Sequence, residues 1–285
     1  MAVAALALVL GGCGSGGHSA SRPLTNAATG GLVRAADVTT QAPGYRLAGT
    51  ATLAVSGAAA RTIHENMTGS YDRLDRTGAI TTTVSALGHV VRVPELISQL
   101  TVYMASAAVP SAASLAQGKP WLEIDMSRAL GGAGLSSLPT ATDPSQFVDY
   151  LRAVSSTATE EGTATIRGVP TTHYHTVVDL DRYPSLVAPA QRAAVETSVK
   201  NLEAALGSHA LPLDVWIDSH HLVRQVKLNF GECVSGTHFT YTMTIDLYDY
   251  GPQTAPRLPA PNQVYNLTPL VQSALSRVKL GCAAH

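Results

Sequence analysis

The chain is poor in charge, aromatic rings and cysteine, and each shortage excludes something. Only 14% of its 285 residues are charged, and 19 basic residues face 20 acidic ones. Nothing in that balance favours nucleic acid or a strongly charged partner. With three Phe and two Trp, the apolar 45% consists largely of Ala, Val and Leu, so many small side chains are buried around few large anchors. After the first residues, no apolar run approaches the roughly 18 residues of a membrane-spanning helix. There is no G-x-S-x-G, P-loop or dinucleotide glycine pattern. Ser276-Arg277-Val278-Lys279 fits S-x-x-K without its companion motifs, and Glu160-Glu161 point to opposite faces of a strand. No catalytic residue, cofactor or metal site is therefore expected. His173 and His175 share a strand face and His220-His221 sit in a turn, but no metal-ligand spacing joins them.

The three cysteines divide into one and two. Ala2 to Leu10 form an uncharged apolar run, and Leu10-Gly11-Gly12-Cys13 sets small residues before a cysteine. The run is too short to span a bilayer but suits a signal peptidase. The pattern is that of a bacterial lipobox: residues 1–12 are expected to be removed and Cys13 to carry the lipid. Acyl chains then anchor the chain at about 0.8 kcal/mol per buried CH₂. No Lys or Arg precedes Leu10, so the expected start codon lies upstream. Residues 13–26 are Gly/Ser-rich, as a flexible tether should be. The remaining pair, Cys233 and Cys282, is expected to form a disulfide in an exported protein. Closing a loop of roughly 50 residues would contribute on the order of 4 kcal/mol.

Periodicity predicts one β-rich domain over residues 27–265, with a C-terminal helical tail over 266–285. A helix is expected over Ala27–Thr40. Period-two strands follow at 45–55, 63–71, 79–86, 89–93 (ending before Pro94), 101–104 and 121–125. Asp143-Pro144 is expected to open a helix whose Phe147, Val148, Leu151 and Val154 face a core. Strands at 158–167 and 171–180 flank a turn at 168–170. A helix over about 189–206 ends at Gly207. In the last third, Leu211, Leu213, Val215 and Ile217 alternate with polar residues, as do Leu222, Arg224, Val226, Leu228 and Phe230, and then Tyr241, Met243, Ile245 and Leu247. Three amphipathic strands in succession make a curved antiparallel sheet with one apolar face.

Several landmarks recur together in one order. They are the lipobox and tether, Trp121-Leu122-Glu123-Ile124-Asp125-Met126-Ser127, Asp143-Pro144 with Phe147 and Leu151-Arg152, and Gly168-Val169-Pro170-Thr171-Thr172-His173-Tyr174. Pro212-Leu213-Asp214-Val215-Trp216-Ile217-Asp218, Leu222-Val223-Arg224 and Tyr248-Asp249-Tyr250-Gly251 complete the set. This set resembles the actinobacterial lipoproteins of the LppX/LprG type, within the wider LolA-like group. The resemblance implies an α+β fold: a strongly curved antiparallel half-barrel with helices packed in its concave mouth. It also implies a non-enzymatic, monomeric lipoprotein anchored on the extracytoplasmic face of the cell membrane. Such a protein binds acyl chains of a lipid or glycolipid and serves an envelope transporter partner. The candidate lining residues are Val84, Val93, Ile97, Tyr103, Val215, Ile217, Val226, Leu228, Met243 and Ile245, with small residues such as Gly49, Ala51 and Ala86 leaving space. The alternative is a structural or interaction lipoprotein with a filled core.

Overall fold

The computed structural model describes residues 22–23, 26–56, 60–109, 114–131, 146–154, 158–234 and 237–275. Cys13 and Cys282 lie outside them, as do the Gly/Ser-rich segment and Asp143-Pro144, and only the backbone of Cys233 is described.

The described strands form one open, curved sheet. They are β1 (Arg22–Pro23), β2 (Gly44–Val55), β3 (Arg61–Asp72), β4 (Thr77–Ala86), β5 (His89–Ser98), β6 (Thr101–Ala105), β7 (Trp121–Asp125) and β8 (Thr159–Ile166). The remainder are β9 (Val169–Asp179), β10 (Ala210–Asp218), β11 (Val223–Val234), β12 (Thr237–Tyr248) and β13 (Val264–Asn266). The order is β1-β8-β9-β10-β11-β12-β2-β3-β4-β5-β6-β7-β13. Neighbours are antiparallel apart from β13, which pairs in parallel with β7. Consecutive strands are therefore mostly spatial neighbours, as expected where two-residue turns link period-two runs.

Three sequence expectations need correction. β5 runs through Pro94 to Ser98, because β6 ends opposite Glu95 and leaves one side of Pro94 an open edge. An edge tolerates a residue without an N–H. The β8–β9 turn is Arg167-Gly168, both at positive φ (49° and 81°), so Val169 and Pro170 already belong to β9. Such a pair suits the primed turns of tight hairpins. In β11 the strict alternation breaks. Trp216 pairs with Gln225 but Ile217 with Val223, so a bulge carries Val223, not Leu222 or Arg224, into the core.

Helices cover only part of the concave face. The N-terminal helix (Asn26–Gln41) buries Leu32, Ala35 and Ala36. The short helix Gln146–Tyr150, continued by a tighter turn to Ala153, buries Phe147, Val148 and Leu151 with Val154 beyond it. The long helix (Pro189–Leu206) starts on a proline at its first position and ends at Gly207 in the left-handed conformation (φ 64°). It contributes Val199 and Leu202. These side chains join inward residues of β2 and β9–β12, and Tyr71, Ile80 and Ile97 of β3–β5, in the main core. A second, smaller core gathers Ala116, Leu122 and Leu267 with Val109, Ile124, Tyr265 and Val271. It docks the C-terminal helix Thr268–Leu275 against β7, where the Asp125 N–H donates to Thr268 Oγ1 at 2.9 Å. No described helix is long and apolar enough to cross a membrane.

The bulged corner is held by one carboxylate. Asp218 Oδ1 accepts from the N–H groups of His220 and Leu222, at 2.8 and 2.9 Å. Its Oδ2 takes both Nε (2.7 Å) and Nη2 (2.6 Å) of Arg224, with the Asp218 side chain only 1% exposed. The Arg224 guanidinium lies over the Tyr250 ring, and the Tyr250 hydroxyl donates to the Val223 carbonyl. Removing one partner of a buried ion pair leaves a stranded charge and typically costs about 3–5 kcal/mol. Asp218→Ala should lower the unfolding free energy by about that amount in urea titrations, whereas Asp246→Ala, at a more exposed pair, should cost about 1 kcal/mol or less.

Candidate functional site

Register assigns every strand residue to a face. Directly paired residues share one, and five transverse rows cross the concave side of β2–β5. Tyr45, Tyr71, Gly78, Ile97 and Val102 form the first. Leu47, Gly69, Ile80, Glu95 and Met104 form the second, and Gly49, Met67, Thr82 and Val93 the third. Ala51, Glu65, Val84 and Val91 make the fourth, and Leu53, Ile63, Ala86 and His89 the fifth.

Burial falls steadily along these rows. Tyr45, Tyr71, Ile97 and Val102 are buried; Met67, Val84, Val91, Val93 and Ile63 are only half-buried; His89 is exposed. The concave face of β3–β5 is thus an apolar trough between the main core and the small core at β7. It is closed at the Tyr71 end and open at the Ile63 end. Its half-exposed part, from Met67 to Ile63, runs about 13 Å at ~3.3 Å per residue.

The candidate lining residues separate on this map. Val84 and Val93 lie in the trough, whereas Ile97 is fully buried in the main core beyond its closed end. Val215, Ile217, Val226, Leu228, Met243 and Ile245 share the same face but are packed into the main core. Tyr103 is on the convex face, where it pairs with Leu96 and Glu123. With Glu123, Pro259, Pro261, Val264 and Asn266 it lines a separate pocket of about 250 Å³. The space expected beside Gly49 is already occupied. A Cβ there would meet Thr244 O at 3.0 Å, Ile245 Cγ1 at 3.2 Å and Met67 Cε at 3.4 Å. Ala51 is likewise buried in the core, which leaves Ala86, near the open end, as the small residue that keeps room.

Two trough residues escaped the sequence reading: Glu65 and Glu95. Only register shows them pointing inward, beside Val84 and Ile80. Burial pushes both carboxyl groups above their ordinary range. For Glu95, desolvation dominates; a hydrogen bond with Thr82 opposes it and the negative charge of Glu65 adds to it.

The histidines are placed apart. His173 Nε2 and His175 Nδ1 converge on a single oxygen, Asp214 Oδ1, at 3.1 and 3.0 Å on the convex face. There His173 stacks on Trp216 with ring centroids 4.2 Å apart. His221 takes a positive φ of 63° in the β10–β11 turn, where it and His220 form no site with that pair. A different group does converge: Asp181, Glu203 and His209.

No family model matches the chain, and no curated protein matches it. Among solved structures it is similar to LprF from Mycobacterium bovis, at 14% identity over 83% of this chain and 99% of that one, with a TM-score of 0.46. The chain is also similar to a LolA superfamily protein, NE2245, from Nitrosomonas europaea, at 7% identity over 82% and 96% of the two chains (TM-score 0.31). A third likeness is to MucB in its complex with MucA(peri), at 12% identity over 83% of this chain and 58% of that one (TM-score 0.27). At this level of superposition the likeness adds nothing beyond the fold, which strand order and register already establish.

The trough carboxylates make stability depend on pH. A folded-state pKa raised above the ordinary 4.5 means that the native state keeps its proton where the unfolded chain has lost it. That stabilisation is complete below the unfolded value and disappears as pH rises through the folded one. Glu95→Gln should therefore raise the melting temperature at pH 7–8 and flatten the decline seen on going up from about pH 4.5, as followed by calorimetry across that range.

Proposed function

We propose that this protein is a cell-envelope lipoprotein that holds the acyl chain of a lipid or glycolipid in the β3–β5 trough and carries it at the outer face of the membrane. One observation carries the reading: toward Ile63 the concave face of β3–β5 is largely apolar yet half-exposed and open at one end, with room along it for part of an acyl chain. A chain of ~16 carbons gains on the order of 10 kcal/mol in gross burial before ordering costs, so even partial cover gives useful affinity. Glu65 and Glu95 supply hydrogen-bonding groups along that apolar path, where hydroxyls of a glycolipid would find partners. Cys13, acylated at the lipobox, supplies the anchor, and the residues after it give reach to the bilayer. Pairing of Cys233 with Cys282 would hold the C-terminal end to the β11–β12 hairpin. No catalytic residue takes part.

The second reading is a structural or interaction lipoprotein. It is favoured by the six packed residues of β10–β12, which leave that half of the barrel filled. Mass spectrometry of lipids that co-purify with a soluble form beginning after Cys13, made in its native host, separates the two. Lipid should be retained, and Val84→Trp or Val93→Trp, which fill the trough, should retain sharply less. If no lipid is retained and none is taken up from labelled vesicles, the interaction reading replaces the first.

A further inference from the structure

The side chains of Asp181, Glu203 and His209 meet at the end of the long helix, remote from the trough. His209 Nδ1 lies 3.3 Å from Asp181 Oδ2 and 3.2 Å from Glu203 Oε1. All three donor atoms fall within 4.8 Å of one another. Backbone hydrogen bonds fix the frame. Gly207, left-handed, turns the chain back and donates to the Glu203 carbonyl at 2.7 Å, and the Leu180 N–H donates to the His209 carbonyl at 2.9 Å.

In the metal-free protein these groups meet as an ion-pair cluster around one imidazole nitrogen. One ring nitrogen faces oxygens from two residues, and a single N–H can align on only one of them. Glu203 is the exception in burial, 11% exposed against 69% and 71% for Asp181 and His209. Its Oε1 is wholly buried and has His209 Nδ1 beside it at 3.2 Å without an aligned hydrogen bond. A buried carboxylate oxygen with only that one poorly aligned neighbour is better satisfied by a cation held between the two. Ligands bound tetrahedrally at about 2.0–2.1 Å stand about 3.3–3.4 Å apart, close to both measured separations.

We infer that Asp181, Glu203 and His209 form a binding site for a divalent transition-metal ion of the zinc class. One imidazole nitrogen with two carboxylates favours such an ion over magnesium or calcium, which prefer all-oxygen shells. Asp181 and Glu203 also line a cleft of about 400 Å³, which admits water as the remaining ligand. Bound metal ties the segment after β9 to the C-terminal end of the long helix, clamping the helix that fills the mouth of the sheet.

The test is calorimetric titration of the soluble protein with Zn²⁺ near pH 7, alongside melting curves with and without the ion. Saturable 1:1 binding and a higher melting temperature are expected, with millimolar Mg²⁺ and Ca²⁺ failing to compete. Glu203→Gln and His209→Ala should each weaken binding by about tenfold or more, while circular dichroism shows the fold intact. The double variant His173→Ala/His175→Ala should bind as the parent does. Absence of saturable binding overturns the site. So does binding that survives Glu203→Gln and His209→Ala, or that is lost with the His173/His175 pair.

Discussion

The buried carboxylate of Asp218 is the constraint on which the helix-filled half of the molecule turns. By taking two turn N–H groups on one oxygen and the Arg224 guanidinium on the other, it fixes where β10 ends and β11 begins. The register shift that results moves Val223 to the concave side, and its N–H then donates to Thr39 Oγ1 of the N-terminal helix at 2.9 Å. A one-residue slip in a strand flips every later side chain to the other face. The bulge absorbs that slip within two residues, so Val226 and Leu228 still face the core. Turn, sheet register and helix seat are therefore one coupled arrangement, and Arg152 extends it by bonding Thr40 Oγ1 and pairing with Asp37 on the same helix.

From that seat follows the asymmetry of the concave face. Helices anchored over β9–β12 and β2 cover the β-strands nearest the corner, and the C-terminal helix covers β7 at the far side. β3–β5 lie between. A sheet with one apolar face must bury it against something, and here the described helices do so at both flanks but not in the middle. The gradient from the buried Tyr71 to the exposed His89 records where their cover ends.

The fold was legible in the sequence where a pattern needed no partner. The long helix, with Pro189 at its start and Gly207 past its end, matches its expected bounds, and period two placed the inward residues of β10, β12 and β2 correctly. Legibility failed where the deciding fact was a neighbour. Pro94 looks like a strand end until β6 is seen to stop short of it. Val223 looks outward until Asp218 bends the corner. Thr101-Val102-Tyr103-Met104 offers apolar residues to both faces, so Tyr103 could be assigned only from its pairing with Glu123. Asp181, Glu203 and His209 carry no spacing signal, because a long helix and a glycine-capped turn bring them together.

Glu65 and Glu95 bear on what the trough is. A sequence selected only to fill a core would place Val or Leu at positions flanked by Val84, Ile80 and Met104, since each carboxylate there pays desolvation without an ionic partner. Their raised pKa is the mark of that unrelieved cost. Each keeps a polar group on an otherwise apolar stretch of the face, beside Val84 for Glu65 and beside Ile80 and Met104 for Glu95. Glu65 stands on a half-exposed part of the face and Glu95 beside the buried Ile80, so the polar groups sit where helix cover gives out. One half is filled by the protein's own helices, and the described helices leave the other half-exposed.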